Sequence, residues 1–164
     1  ETLRIMNEKI RDREVEKYYL CIVHGAITPP AGTLRHILLK DEAKKQVSVH
    51  HQAVPGGRSA ATEYRTLARR DSLSLLECRL ITGRTHQIRA QFAAAGHPLL
   101  GDGKYGRERD NKPFGRTYQA LYAYRLAFSF PTDAGILSYL KGKTVSVSRV
   151  DFVEEFFPDL SIVP

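Results

Sequence analysis

Residues 60–82 constrain the fold most strongly. AATEYRTLARR and LSLLECRLIT are two strand-like runs separated only by Asp71 and Ser72. So short a connection joins antiparallel neighbours, and the pair predicts a β-hairpin. Further strands are predicted on either side of it. REVEKYYLCIVHG is rich in β-branched and aromatic residues and ends at Gly25; GTLRHILLK and QVSVHHQAV are joined by the polar DEAKK. YQALYAYRLAFSFP ends at Pro131, and KTVSVS follows Gly142. Turns are expected at ITPPAG (27–32) and at PGG (55–57), where Gly and Pro punctuate the chain.

Just after the hairpin the period changes. In THQIRAQFAAAG the apolar residues Ile88, Phe92 and Ala95 recur at helical spacing, and Gly96 supplies a stop. Residues 85–95 are therefore predicted to be a helix. The opening ETLRIMNEKIRDRE carries Leu3, Met6 and Ile10 at i, i+3, i+7 and predicts a second helix with those three residues buried. VDFVEEFF predicts a short third helix before Pro158. Strands with a few packed helices make an α+β domain, with a mostly antiparallel (mixed) sheet. The first helix begins without an initiator methionine or a capping residue, so the chain is expected to be cut from something longer.

Composition narrows the function. The 164 residues are enough for one domain, and no apolar run approaches the roughly 18 residues of a membrane span. Cys21 and Cys78 lie in apolar strands, which predicts two buried free thiols in a cytoplasmic protein rather than a disulfide framework. The net charge is +7. Its densest cluster is KYGRERDNKPFGR, where Lys104, Arg107, Arg109, Lys112 and Arg116 alternate with Tyr105 and Phe114. Cations bind phosphates and aromatic rings stack on bases, so this segment could lie along a polynucleotide or be a solvated loop. His50 and His51 are adjacent and would point to opposite strand faces, while His24, His36, His86 and His97 are scattered. No CxxC, HxxxH or HExxH pattern occurs, so no zinc site is expected; no P-loop or GxGxxG occurs, which argues against a nucleotide cofactor, and there is no GxSxG elbow.

Arg89 poses the main chemical question. It follows Ile88 on the predicted helix and sits at the border of the apolar stripe. An unpaired guanidinium there would cost several kcal/mol, so it requires a carboxylate or phosphate. Spacing alone favours a local carboxylate such as Glu63.

ITGRTHQIRAQFAAAGHPLLGDGKYG closely resembles the signature of the RluA-type pseudouridine synthases, which isomerise uridine in ribosomal and transfer RNA. KYYLCIVHG, AATEYRTL and LYAYRLAFSFP resemble further family segments in the same order, and the likeness runs from about residue 1 to 158. The resemblance implies that the chain is a single partial catalytic domain of the pseudouridine synthase fold spanning 1–164, acting on RNA without metal or organic cofactor, and monomeric when intact. Tyr19 matches the family's active-site tyrosine, Arg89 the arginine that pairs with the catalytic aspartate, and Leu126 an apolar residue lining the uracil pocket. His86, Gln87, Ile88, Lys104 and Tyr105 of the signature are further candidates for substrate binding. Tyr122 stands where the family usually has histidine.

One element of the pattern is missing. The family's nucleophile is the aspartate of an H-R-L-D motif, and no aspartate of this chain, from Asp12 to Asp159, stands in such a context. The expectation is a truncated portion of the synthase, with an amino-terminal piece missing and no turnover of its own. On this reading Arg89 would hold an aspartate that the chain does not contain. Two alternatives remain at this level, namely a non-catalytic RNA-binding protein of the same fold and an unrelated basic α+β domain.

Overall fold

A computed structural model describes residues 1–163. Its centre is the predicted hairpin. Strands β4 (Arg58–Arg70) and β5 (Leu73–Leu80) pair antiparallel across the turn at Asp71, which adopts φ 54°. β1 (Val15–His24) joins β5 on one side, while β2 (Ala31–Asp41) joins β4 on the other. With β3 (Gln46–His50), β6 (Leu121–Phe128) and β7 (Thr144–Ser146) they form one seven-stranded sheet of order β3-β2-β4-β5-β1-β6-β7. Each neighbouring pair runs antiparallel, so the mixed alternative falls away.

Alternation along β1 and β5 divides the core between the two faces of this sheet. Leu20, Ile22 and Leu75 point to one face, where Phe152 and Val153 of helix α4 (Asp151–Phe156) close over them. Cys21, Val23, Leu76 and Cys78 point to the other, against Ile88 and Phe92 of helix α2 (Gln87–Ala94). Both cysteines are buried free thiols, 3.8 Å apart at sulfur, as expected from their strands.

Helix α1 (Thr2–Arg11) turns differently from its predicted orientation. Leu3 and Ile10 are exposed, and the buried positions are Ile5 and Lys9. Ile5 packs on Phe130 and Leu137, whereas the Lys9 ammonium is held by the Glu14 carboxylate at 2.7 Å and by the Thr132 hydroxyl at 2.6 Å. A buried ion pair with its donors satisfied is compatible with an interior position, so the lysine replaces an apolar residue on the packed stripe. Apolar periodicity cannot register such a pair.

The cation–aromatic segment is partly helical rather than a loop throughout, with Lys104, Arg107 and Arg109 exposed. Residues Glu108–Asn111 form the short helix α3, and a 3-10 turn follows over Lys112–Phe114. Asn111 is buried and binds the Gly101 amide and the His24 imidazole, while the Phe114 ring packs near His24 and Phe156.

Phe92 lies fully buried under α2, with its ring edge-to-face on Tyr64 at 5.7 Å. Phe92→Ala should lower the stability of the chain by about 3–5 kcal/mol through lost burial and a residual cavity. Urea denaturation checks this, and a loss below 1 kcal/mol would contradict the packing of α2 on the sheet.

Candidate active site

Helix α2 is anchored by buried polar bonds. At its start Gln87 accepts hydrogen bonds from the Thr82 hydroxyl (2.7 Å) and the Arg84 amide (3.0 Å). Its side-chain amide donates to the Thr62 hydroxyl at 2.8 Å and the Ala61 carbonyl at 3.0 Å. Thr62 donates onward to Gln91 at 2.7 Å, and Gln91 donates to Nδ1 of His36 at 3.0 Å. Thr62 and Gln91 are fully buried, and Gln87 nearly so. Burial, followed by the neighbouring His51, holds His36 below its ordinary pKa. That matches a neutral ring whose Nδ1 accepts. The helix is entered through His86, whose left-handed backbone (φ 52°) turns the chain out of loop 81–85.

The anchored helix sets the direction of Arg89. Its Nε donates to Asp102 Oδ2 at 2.7 Å and its Nη2 to Oδ1 at 2.9 Å, a bidentate pair. The carboxylate is wholly buried and the guanidinium is only 13% exposed. Asp102 Oδ1 also accepts from the Lys104 amide at 2.9 Å and the Tyr105 amide at 3.0 Å. Burial alone would raise the carboxyl pKa, but the Arg89 bond and these amides outweigh it and hold the pKa low. Arg89 is therefore not an empty-handed cation. Its partner within the chain is Asp102 and not Glu63, which binds Arg79 at 2.9 Å.

Why Asp102 reaches this place is local. Gly101 before it adopts φ 81°, and a Cβ there would lie 2.0 Å from the Tyr118 carbonyl oxygen. Only glycine permits that turn. The sequence sets Asp102 aside as the nucleophile, because it lies outside an H-R-L-D context, and does not single it out as the partner of Arg89. Its GDG setting, thirteen residues after Arg89, carried the usable signal.

Two more candidates gather here. The Tyr105 ring lies 5.2 Å from the Arg89 guanidinium, and its hydroxyl accepts the Val47 amide at 2.9 Å. The same hydroxyl lies 2.8 Å from Nδ1 of His86. Burial, reinforced by Arg89, keeps the His86 pKa low, so the tyrosine hydroxyl donates to a neutral ring. Lys104 contributes its backbone, and its ammonium turns to the Lys45 carbonyl at 2.6 Å.

Tyr19 and Leu126 come from the sheet. Tyr19 pairs with Cys78 on β5 and packs against the cluster containing Ile88 and Phe92, so it shares a sheet face with α2. Leu126 pairs with Lys17, two residues before Tyr19 on that same face, and is exposed. Ile88 itself is core. The fold thus brings the elements bearing Tyr19 and Arg89 into direct packing, and joins His86, Arg89, Asp102 and Tyr105 into one cluster. Among the described residues no group of three or more His, Cys, Asp or Glu side chains could hold a metal ion, and no helix is long and apolar enough to cross a membrane.

Because the Asp102 carboxyl pKa is lowered by folding, its contribution is present above the unfolded value near 4 and is lost as pH falls through the folded value. Asp102→Asn should be about 3–5 kcal/mol less stable than wild type near pH 7, because it leaves Arg89 without its charge partner. That gap should shrink as pH drops below about 4. Urea denaturation at several pH values reads it, and a gap unchanged down to pH 3 would remove the ion pair from the argument.

Comparison with known proteins bears on the family and the fold. The family described as RNA pseudouridylate synthase matches residues 1–94. An uncharacterised RNA pseudouridine synthase of Bacillus subtilis, YlyB, is 36% identical over 120 residues, covering 73% of this chain and 38% of that protein. Ribosomal large subunit pseudouridine synthase D of Neisseria meningitidis is 34% identical over 141 residues, covering 80% of this chain and 36% of that protein. The chain therefore spans well under half the length of these relatives. Human RNA pseudouridylate synthase domain containing 4 shares the fold at a TM-score of 0.69 and 21% identity, over 91% of this chain and 63% of that one. With the signature segments, the packed Tyr19 and Arg89 elements and the match over residues 1–94, the chain belongs to the RNA pseudouridylate synthase family.

Proposed function

We propose that this chain is part of the catalytic domain of an enzyme that isomerises uridine to pseudouridine in ribosomal or transfer RNA, in the cytoplasm and as a monomer. The observation that carries the proposal is the packing of β1, which bears Tyr19, against α2, which bears Arg89. In this reaction the N1–C1′ bond breaks, the uracil turns, and a C5–C1′ bond forms with loss of the C5 proton. The target base must leave its stack, which rewards an aromatic platform and an apolar wall. Tyr19 is assigned the platform and proton handling, and Leu126 the wall.

Arg89 takes a modified role. Asp102 occupies its Nε and one Nη2 hydrogen, which leaves the Nη1 edge for a second carboxylate. Asp102 is then a positioning residue that fixes the guanidinium plane, while the free edge orients the nucleophilic aspartate. The Arg89–Asp102 pair is neutral as a whole. It would hold a second carboxylate by hydrogen bonds more than by net charge, and so leave it basic enough to react. That aspartate is not among the 164 residues, so the chain alone is assigned no turnover. Of the further candidates, Gln87 and Ile88 are buried and are assigned to holding α2, while His86, Lys104 and Tyr105 lie beside the Arg89–Asp102 pair and are assigned to the substrate. A non-catalytic RNA-binding protein of the same fold is the second reading, favoured only by the missing motif.

Joining an H-R-L-D-bearing segment from a relative ahead of Glu1 should produce tritium release from RNA containing 5-tritiated uridine. Tyr19→Phe should slow release by about 10²-fold or more, in the range for loss of a proton-transfer group. Arg89→Ala should abolish it, and Arg89→Lys, which keeps the charge but not the fork, should lose most of it. Full activity in both Arg89 variants would remove the role assigned to that residue.

A further inference from the structure

Loop 81–85 lies between three clefts that meet at shared residues. The first, about 460 Å³, includes Arg11, Arg13, Lys17 and Arg84 in its lining. The second, about 370 Å³, includes Lys40, Arg58 and Arg84. The third, about 320 Å³, includes Arg13, Arg35, His36 and His51. Ile81, Thr82 and Arg13 join the first to the third, while Gly83 and Arg84 join the first to the second. The three clefts thus adjoin one another around the loop as a track.

The charges along this track do not cancel. Arg79, which also lines the first cleft, is neutralised by Glu16 and Glu63; Lys40 pairs with Glu42, and Arg11 with Asp12. These pairs engage Glu16 and Glu42, the acidic residues of the lining. Arg13, Lys17, Arg35, Arg58 and Arg84 remain without a carboxylate partner among the described residues. Arg84 sits at the junction. Its Nε donates to the Ser59 carbonyl at 3.0 Å, which fixes the stem and leaves both Nη groups for a ligand. Four of the five unpaired cations are arginines, whose planar fork matches a phosphate in bidentate fashion.

We infer that the phosphate backbone of the RNA runs through these three clefts, with Arg84 clamping the central phosphate and Arg13 and Arg58 holding its neighbours on either side. This rests on the proposed function and names a path for the RNA backbone beside that site, with Lys17 two residues from Tyr19 and Thr85 next to His86. A membrane surface would need an exposed face rather than clefts divided by a loop. An acidic peptide lacks the regular charge spacing that such a track rewards.

The test is binding of a fluorescent single-stranded oligouridylate to the chain at several salt concentrations near pH 7.5. Each phosphate contact contributes about 0.7 to the slope of log K against log salt. The triple variant Arg13→Gln/Arg58→Gln/Arg84→Gln should lower that slope by about 2 and weaken binding about 10–100-fold at 0.1 M salt. The double variant Arg13→Gln/Arg58→Gln alters only exposed side chains and should lower the slope by about 1.4, so the inference does not hang on the folding of the triple variant. Unchanged slopes in both variants, with the wild type binding normally, would overturn the path alone. Failure of the wild type to bind RNA would overturn the path together with the functional reading. Competition by polyglutamate or by phosphatidylserine vesicles as strong as by unlabelled RNA would assign the track to another anionic partner.

Discussion

The placement of α2 depends on a short run of buried hydrogen bonds. Gln87, Thr62 and Gln91 lie inside the protein, where an amide or hydroxyl without a partner costs several kcal/mol. Each bond in the chain from Thr82 through Gln87, Thr62 and Gln91 to His36 satisfies one such group. A rotation of the helix by a few tens of degrees would break several at once. The apolar contacts of Ile88 and Phe92 supply much of the attraction, but they are non-directional. The polar chain supplies the direction, and with it the direction of Arg89.

That direction matters because Arg89 meets Asp102 rather than solvent. The bidentate pair, the two loop amides on Asp102 and the Tyr105 ring beside the guanidinium link the α2 helix to the glycine-rich loop after it. A buried pair of this kind is weak evidence for stability, since both ions lose hydration. Its value is geometric: it converts a flexible arginine into a fixed plane with one edge free. The opposite face of the sheet uses the same device, where buried Glu77 binds Tyr124, Arg65 and Arg125. There the carboxylate is saturated by three donors while Arg125 Nε stays buried without a partner; at Arg89 the Nη1 edge remains for another group.

The strands were legible because their alternation and turn residues are local. Asp71 and Ser72 between two strand-forming runs left few alternatives, and the thiol state of Cys21 and Cys78 followed from their apolar setting. Helix α2 was legible from its apolar spacing. The buried face of α1 was not. Leu3, Met6 and Ile10 have the expected period, but of these only Met6 packs on the core, and Ile5 and Lys9 are buried, the lysine because Glu14 and Thr132 satisfy it. Thr132 lies more than a hundred residues away, and no window along the chain contains it.

The sequence by itself determined the family, the antiparallel hairpin core, the helix that carries the signature, and the need of Arg89 for an anionic partner. These follow from local periodicity, from motif order and from the cost of burying an unpaired charge. Only the tertiary structure decided who that partner is, and which cations around loop 81–85 remain unpaired. Both depend on which side chains meet across strands and loops distant in sequence. Asp102 reaches Arg89 because a glycine with positive φ bends the chain there, and charge pairing is settled by distances of a few ångströms that a linear pattern does not encode.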